Sequence, residues 1–161
     1  MKNKMIIGDP YKIAIQVEQL DVLCSPSGIF NFVINDMLIP GKGVTIDLYV
    51  VISSLKESLE SGLKKYINDI GGVHIDSMDF SEGEPENLIP LNIAELYDYG
   101  CNFWLGFDGD EDRLIYTLDF ENSFFENRFP RGTIKELIRK LPLAENLIMD
   151  KKDDIIITKV N

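Results

Sequence analysis

The chain predicts an α+β fold: an antiparallel sheet with a long amphipathic helix and shorter helices, in a single domain spanning residues 1–161. Two observations carry that expectation. Period-two apolar patterning bounded by turn residues occurs near the N-terminus and again after Cys101, and one extended segment between them shows helical three- and four-residue spacing. The helices do not alternate one for one with the strands, which argues against a doubly wound α/β arrangement. With 161 residues, 45% of them hydrophobic, the chain can build a sizeable core.

Ile13, Ile15 and Val17 alternate with Lys12, Gln16 and Glu18, which predicts a half-buried strand. A turn at Ser25-Pro26-Ser27-Gly28 leads into a second strand, where Phe30, Phe32 and Ile34 alternate, and Asn35-Asp36 is a hairpin turn into Met37-Leu38-Ile39. Pro40-Gly41-Lys42-Gly43 is a loop. A phosphate-binding loop would continue from Lys42 with Ser or Thr ahead of a helix, and Gly43-Val44 follow instead.

From about Asp47, the residues Tyr49, Ile52, Leu55, Leu59, Leu63, Tyr66, Ile67 and Ile70 recur at the spacing of one helix face, so a long amphipathic helix is expected up to Gly71-Gly72. Gly62 weakens its middle by about 1 kcal/mol relative to Ala. Residues 76–92 read as a long loop centred on Ser81 to Asn87, followed by a short helix from Ile93 to Tyr99 that Gly100 caps. Next come a strand with Phe103, Leu105 and Phe107 on one face and Trp104 on the other, the acidic turn from Asp108 to Asp112, and a strand from Leu114 to Leu118. Thr133 with Glu136 forms a capping-box pattern for a short helix that Pro142 terminates, and Ile155 to Val160 supplies a last strand. The two hairpins could share one sheet or occupy two.

Charge is the most informative feature for function. Fourteen acidic residues and a single basic one, Arg113, fall between Asp76 and Glu126, so this stretch carries −13 in a chain of net charge −11. A concentrated field of this kind steers and holds a basic macromolecule. It disfavours direct binding to nucleic-acid phosphate, which depends on Lys and Arg. No apolar run approaches the roughly 20 residues of a membrane span. Met5-Ile6-Ile7 is too short for a signal-peptide core, so a cytoplasmic protein is expected. Cys24 and Cys101 form neither a CxxC pair nor a disulfide framework and read as reduced thiols.

Enzyme chemistry finds little support. His74 is the sole histidine, which removes multi-histidine zinc sites, and no GxSxG frames a serine. Carboxylate pairs are so numerous that none stands out. No catalytic residue and no cofactor is expected. Asp108, Asp110 and Asp112 have calcium-loop spacing, yet Arg113 occupies the position of the loop glycine, Asp119 that of the closing glutamate, and a strand follows where an EF-hand needs a helix. The turn therefore reads as a solvated hairpin or a partner contact. A calcium-dependent or charge-based protein-binding module is the alternative function. Partner contact is assigned to Asp108, Asp110, Glu111 and Asp112, with Trp104 as an anchor beside them unless a helix covers it. Glu82, Glu84 and Glu86 form a second cluster, a solvated loop or a mimic of phosphate charges facing Lys and Arg.

Three stretches carry a family resemblance: Ile7-Gly8-Asp9-Pro10-Tyr11-Lys12-Ile13-Ala14-Ile15, then Gly28-Ile29-Phe30-Asn31-Phe32-Val33-Ile34-Asn35-Asp36 with Ile39-Pro40, and Val44-Thr45-Ile46-Asp47-Leu48. They resemble the immunity protein 42 family of bacterial polymorphic-toxin and contact-dependent inhibition systems. The resemblance implies a small cytosolic protein that binds and neutralises the toxic C-terminal domain of a cognate toxin, with a nuclease as the expected target. The glycine-containing motifs read as architectural turn and strand residues. Placement of toxin contact in the acidic middle comes from charge alone.

Overall fold

The computed structural model describes residues 4–21, 26–65, 67–144, 147–152 and 155–160. Cys24, Ser25 and Tyr66 lie outside the described residues. The chain divides into two compact units, one comprising Met1–Ser53 with Arg139–Asn161 and the other Ser54–Ile138.

In the first unit, β1 (Lys4–Asp9), β2 (Ile13–Asp21), β3 (Ser27–Ile34) and β4 (Met37–Ile39) form an antiparallel meander in that order, and β5 (Ile46–Asp47) pairs with β3. The register sets Ile15 opposite Phe32 and Phe32 opposite Ile39, so the alternating residues expected to be apolar share one buried face. Asn35 and Asp36 both have positive φ, 50° and 65°, as a two-residue turn between right-twisted strands requires. Strand β1 is an addition to the sequence-based expectation, since three apolar residues ahead of a turn carry too short a pattern to register. The expected last strand is β11 (Ile155–Val160), and it pairs with an unanticipated β10 (Leu147–Lys152) in a separate hairpin.

Helix α1 (Leu48–Lys64) begins where the Asp47 carboxylate accepts the backbone N–H of Val50 at 3.0 Å, an N-cap. Its buried stripe is Leu48, Val51, Ile52, Leu55 and Leu59, while Tyr49 is exposed. The helix stops short of the expected end at Gly71-Gly72. Gly62 explains what its last turns do: a Cβ there would stand 2.3 Å from Ile89 Cγ2, so the glycine allows close approach of the helix to a strand. Ile70, expected in the helix, instead donates its backbone N–H to the Phe107 carbonyl at 2.9 Å, and its side chain covers Gly106.

The second unit holds a separate antiparallel sheet in the order β6 (Ile89–Leu91), β7 (Asn102–Asp108), β8 (Glu111–Thr117), β9 (Phe125–Pro130). The two hairpins therefore occupy different sheets. Strand β6 lies inside the expected loop, and β9 escaped the pattern because its intermediate residues are charged or polar. The expected short helix is a 3-10 helix, Ala94–Tyr99, closed by Gly100 at φ 90°. Helix α2 (Thr133–Arg139) departs from the expected capping box: its first N–H groups are received by the carboxylate of Asp112, at 3.1 Å from Gly132 N and 2.9 Å from Ile134 N. The Thr133 hydroxyl donates to the Pro130 carbonyl instead.

One face of this sheet carries Ile89, Leu105, Leu114, Phe103 and Tyr116, paired across the strands. Both helices lie on that side, α1 through Gly62 against Ile89 and α2 through Asp112. The opposite face carries Trp104 beside Ile115, Gly106 beside Arg113 and Asp108 beside Glu111, continued on β9 by Glu126 and Arg128.

Candidate functional site

The helix-free face of the second sheet has a polar end and an aromatic end. At the polar end Arg113, only 1% exposed, donates Nε and Nη2 to Glu126 at 2.9 and 2.6 Å and Nη1 to the Gly71 carbonyl at 2.7 Å. Arg128 then bridges Asp108 at 2.8 Å, Glu111 at 2.7 Å and Glu126 at 2.9 Å. Burial pushes the Glu126 carboxyl up, yet the two guanidinium groups outweigh it and hold it below its usual range. The Asp108 and Glu111 carboxylates in turn raise Arg128. Beyond the hairpin tip, on the side of Phe107, Arg131 donates to both Asp69 oxygens at 3.0 Å and to the Gly109 carbonyl at 2.8 Å, with its guanidinium 4.4 Å from the Phe107 ring centre.

These contacts change the standing of the acidic turn. Asp108 and Glu111 are bound to Arg128, and Asp112, with no exposed surface, is committed to α2. The three aspartates with calcium-like spacing do not converge on one point, because Asp108 pairs with Glu111 on one face of the hairpin while Asp112, the next residue along β8, pairs with Phe107 on the other. Asp110 alone of the four stands exposed without an ion pair among the described residues. The acidic count from Asp76 to Glu126 ends just before Arg128 and Arg131, the cations that neutralise this end.

Trp104 is corrected as well. It is 2% exposed, beneath the segment that brings Ile70, Ile75, Met78 and Phe80 over the sheet, which includes the short 3-10 helix Ile75–Ser77, together with Phe124. Its Nε1 has no hydrogen-bond partner among the described residues. Phe80 stacks on Phe124 with ring centres 4.2 Å apart and lies 4.8 Å from the Trp104 ring. Glu82, Glu84 and Glu86 follow that segment on an exposed loop, as expected.

The loop after β8 is the feature that sequence patterning missed. Phe120 and Glu121 both adopt positive φ, 55° and 64°, which is rare for a bulky residue. Local bonds hold them there: the Thr117 hydroxyl accepts the Glu121 N–H at 3.0 Å, Asp119 accepts the Ser123 N–H at 2.8 Å, and Phe120 N–H reaches the Gly100 carbonyl at 3.1 Å. The Ser123 contacts keep the Asp119 carboxyl below its usual range. Phe120 is 65% exposed. The available signal was an aromatic pair, Phe120 and Phe124, framing the polar run Glu121-Asn122-Ser123.

His74 is exposed and caps its own turn, its Nδ1 accepting from Asp76 N at 3.3 Å. With Arg113, Glu126 and Arg128 it lines an open groove of about 540 Å³ whose walls contain no serine or cysteine. No His, Cys, Asp or Glu cluster of metal-binding form occurs among the described residues. No helix among them is long and apolar enough to cross a membrane.

A model of the immunity protein 42 family matches residues 5–143. No curated protein matches the chain. Among solved structures, the crystal structure of CdiI from Burkholderia dolosa AUO158 is similar, with a TM-score of 0.60 and 16% sequence identity over 84% of this chain and 96% of that one. At that identity the likeness establishes a shared fold.

Proposed function

The chain belongs to the immunity protein 42 family, and we propose that it protects its cell by binding the toxic C-terminal domain of a cognate bacterial toxin, a basic enzyme such as a nuclease, in a reversible one-to-one complex. The observation that carries this reading is the family match over residues 5–143, which spans both compact units. The protein acts as a binder with no chemistry of its own. Exposed carboxylates supply the recognition: Glu82, Glu84, Glu86, Asp110 and Glu121 form no ion pair among the described residues, whereas Asp108 and Glu111 are already paired. A surface of this sign raises the encounter rate with a basic groove and, once seated, excludes the polyanionic substrate.

The test is a growth assay in cells that induce the C-terminal domain of a toxin encoded beside this chain, with and without the chain. Growth restored by this protein, and not by an unrelated acidic protein, is the expected outcome. Persistent toxicity despite abundant folded protein would overturn the reading for that toxin.

A further inference from the structure

We propose that the groove between residues 78–81 and 120–124 receives an arginine or lysine side chain of the toxin domain, making it the principal charge-reading site of this surface. The groove measures about 430 Å³, within the ~300–1,000 Å³ typical of sites for small ligands. Its lining combines Met78, Phe80, Phe120 and Phe124 with the acidic residues Asp79 and Glu121 and with Ser81. No basic residue lines it. Aromatic faces attract a cation within about 6 Å of the ring centre, and a carboxylate on either side supplies the counter-charge.

The composition selects the occupant. An apolar anchor from a partner would fill the aromatic walls but strip water from the Glu121 carboxylate and from the free oxygen of Asp79, whose other oxygen accepts from Ser81, without replacing it, a cost of several kcal/mol for a charge left without a partner. A calcium ion would find two carboxylates and the Ser81 hydroxyl, which already donates to Asp79, among aromatic walls, short of the six to eight oxygens it requires. A guanidinium or ammonium on an aliphatic stem satisfies both halves of the groove at once, the stem on Met78 and the rings, the charge on Asp79 and Glu121.

The groove is also built in advance. Phe80 and Phe124 are stacked on each other and rest on buried Trp104, so their positions are set by the sheet beneath. Asp79 is oriented by the Ser81 N–H, which it accepts at 2.9 Å. Phe120 and Glu121 are presented by the bonded loop described above. A site whose members are already ordered loses little conformational entropy on binding. The two arginines of this face, Arg113 and Arg128, sit at its other end, engaged by Glu126, Asp108 and Glu111.

The identity of the partner rests on the immunity reading, and the experiment separates the two. The purified chain is titrated by calorimetry against the toxin domain whose toxicity it relieves, alongside Phe120→Ala, Glu121→Arg and the control Glu57→Gln at an exposed position of α1, with the thermal midpoint of each variant recorded. Phe120→Ala is expected to weaken Kd about 10-fold and Glu121→Arg about 100-fold, with Glu57→Gln within about threefold of the wild type. Glu121 contributes no side-chain bond among the described residues, so Glu121→Arg carries the test even if Phe120→Ala fails to fold. Wild-type binding with both groove variants within about threefold overturns the site and leaves immunity standing. Absence of wild-type binding overturns direct binding as the means of protection, and the site's partner with it.

Discussion

The buried carboxylate of Asp112 accepts the backbone N–H of Ile134 at 2.9 Å, so a residue of β8 caps helix α2. Burial raises its pKa, against the pull of the Ile134 and Gly132 N–H groups. A carboxyl raised in the folded state contributes stability that is full below the unfolded value near 3.8 and is lost as pH rises through the folded value. The wild type should therefore lose thermal stability relative to Asp112→Asn as pH climbs from near 3.8 through the folded value. Asp112→Ala, which leaves two N–H groups without an acceptor, should cost about 1–2 kcal/mol in urea unfolding at neutral pH.

Asp119 should show the opposite sign. Its pKa is depressed, first by the Ser123 N–H and then by the Ser123 hydroxyl, so its contribution is present above the unfolded value near 3.8 and vanishes as pH falls. Thermal midpoints of Asp119→Asn should lie below the wild type at pH 7 and converge with it in acid. Curves that stay parallel from neutral to acid pH would refute the assigned role of this carboxylate in the loop.

Glu126 and Arg113 form the most enclosed ion pair among the described residues, at 2.6 Å. Glu126→Leu leaves the Arg113 guanidinium with the Gly71 carbonyl as its remaining acceptor and should cost about 3–5 kcal/mol. The double variant Arg113→Met with Glu126→Leu should recover much of that loss, because no buried charge is left unmatched. Denaturant midpoints of the two variants decide it: a double variant no more stable than the single one would contradict this account.

Gly62→Ala should destabilise, although alanine favours a helix interior by about 1 kcal/mol. Its Cβ would lie 2.3 Å from Cγ2 of Ile89, a branched side chain with no exposed surface and little freedom to move, and overpacking of that kind costs about 1–3 kcal/mol. With Ile89→Ala already in place, the same substitution at Gly62 should become neutral or stabilising. A double-mutant cycle reads the coupling directly.

Neutralising the hairpin with Asp108→Asn and Glu111→Gln should lower stability by only about 0.5–1 kcal/mol, since the Arg128 pairs are partly solvated. Toxin affinity should shift by no more than about threefold. A large loss of affinity would show that the hairpin carboxylates leave Arg128 for the partner.

Much of the fold was legible because it follows from local chemistry. Alternation around Phe30 and Phe103, the Asn35-Asp36 turn and Gly100 after Tyr99 each impose a backbone geometry that neighbouring residues alone determine. Errors arose where a residue served a distant element. Ile67 and Ile70 continue the helical spacing of α1, yet Ile70 closes over Gly106 of β7, and periodicity cannot tell one apolar destination from another. Thr133 and Glu136 have the spacing of a capping box, but the start of the helix is capped from β8, where Asp112 accepts the Gly132 and Ile134 N–H groups, and the Glu136 N–H goes to the Gly132 carbonyl.

Composition and residues close together along the chain were enough for the α+β class, the long helix, the antiparallel hairpins, the family resemblance and the acid surplus. Tertiary structure decided which acids remain available. Arg128 lies seventeen residues after Glu111 and Arg131 sixty-two after Asp69, and only sheet pairing and loop closure set those charges within hydrogen-bond reach. The same folding buried Trp104 beneath Phe80 and Phe124 and left Phe120 exposed, because burial depends on what covers a residue, and the covering segments here come from distant parts of the chain.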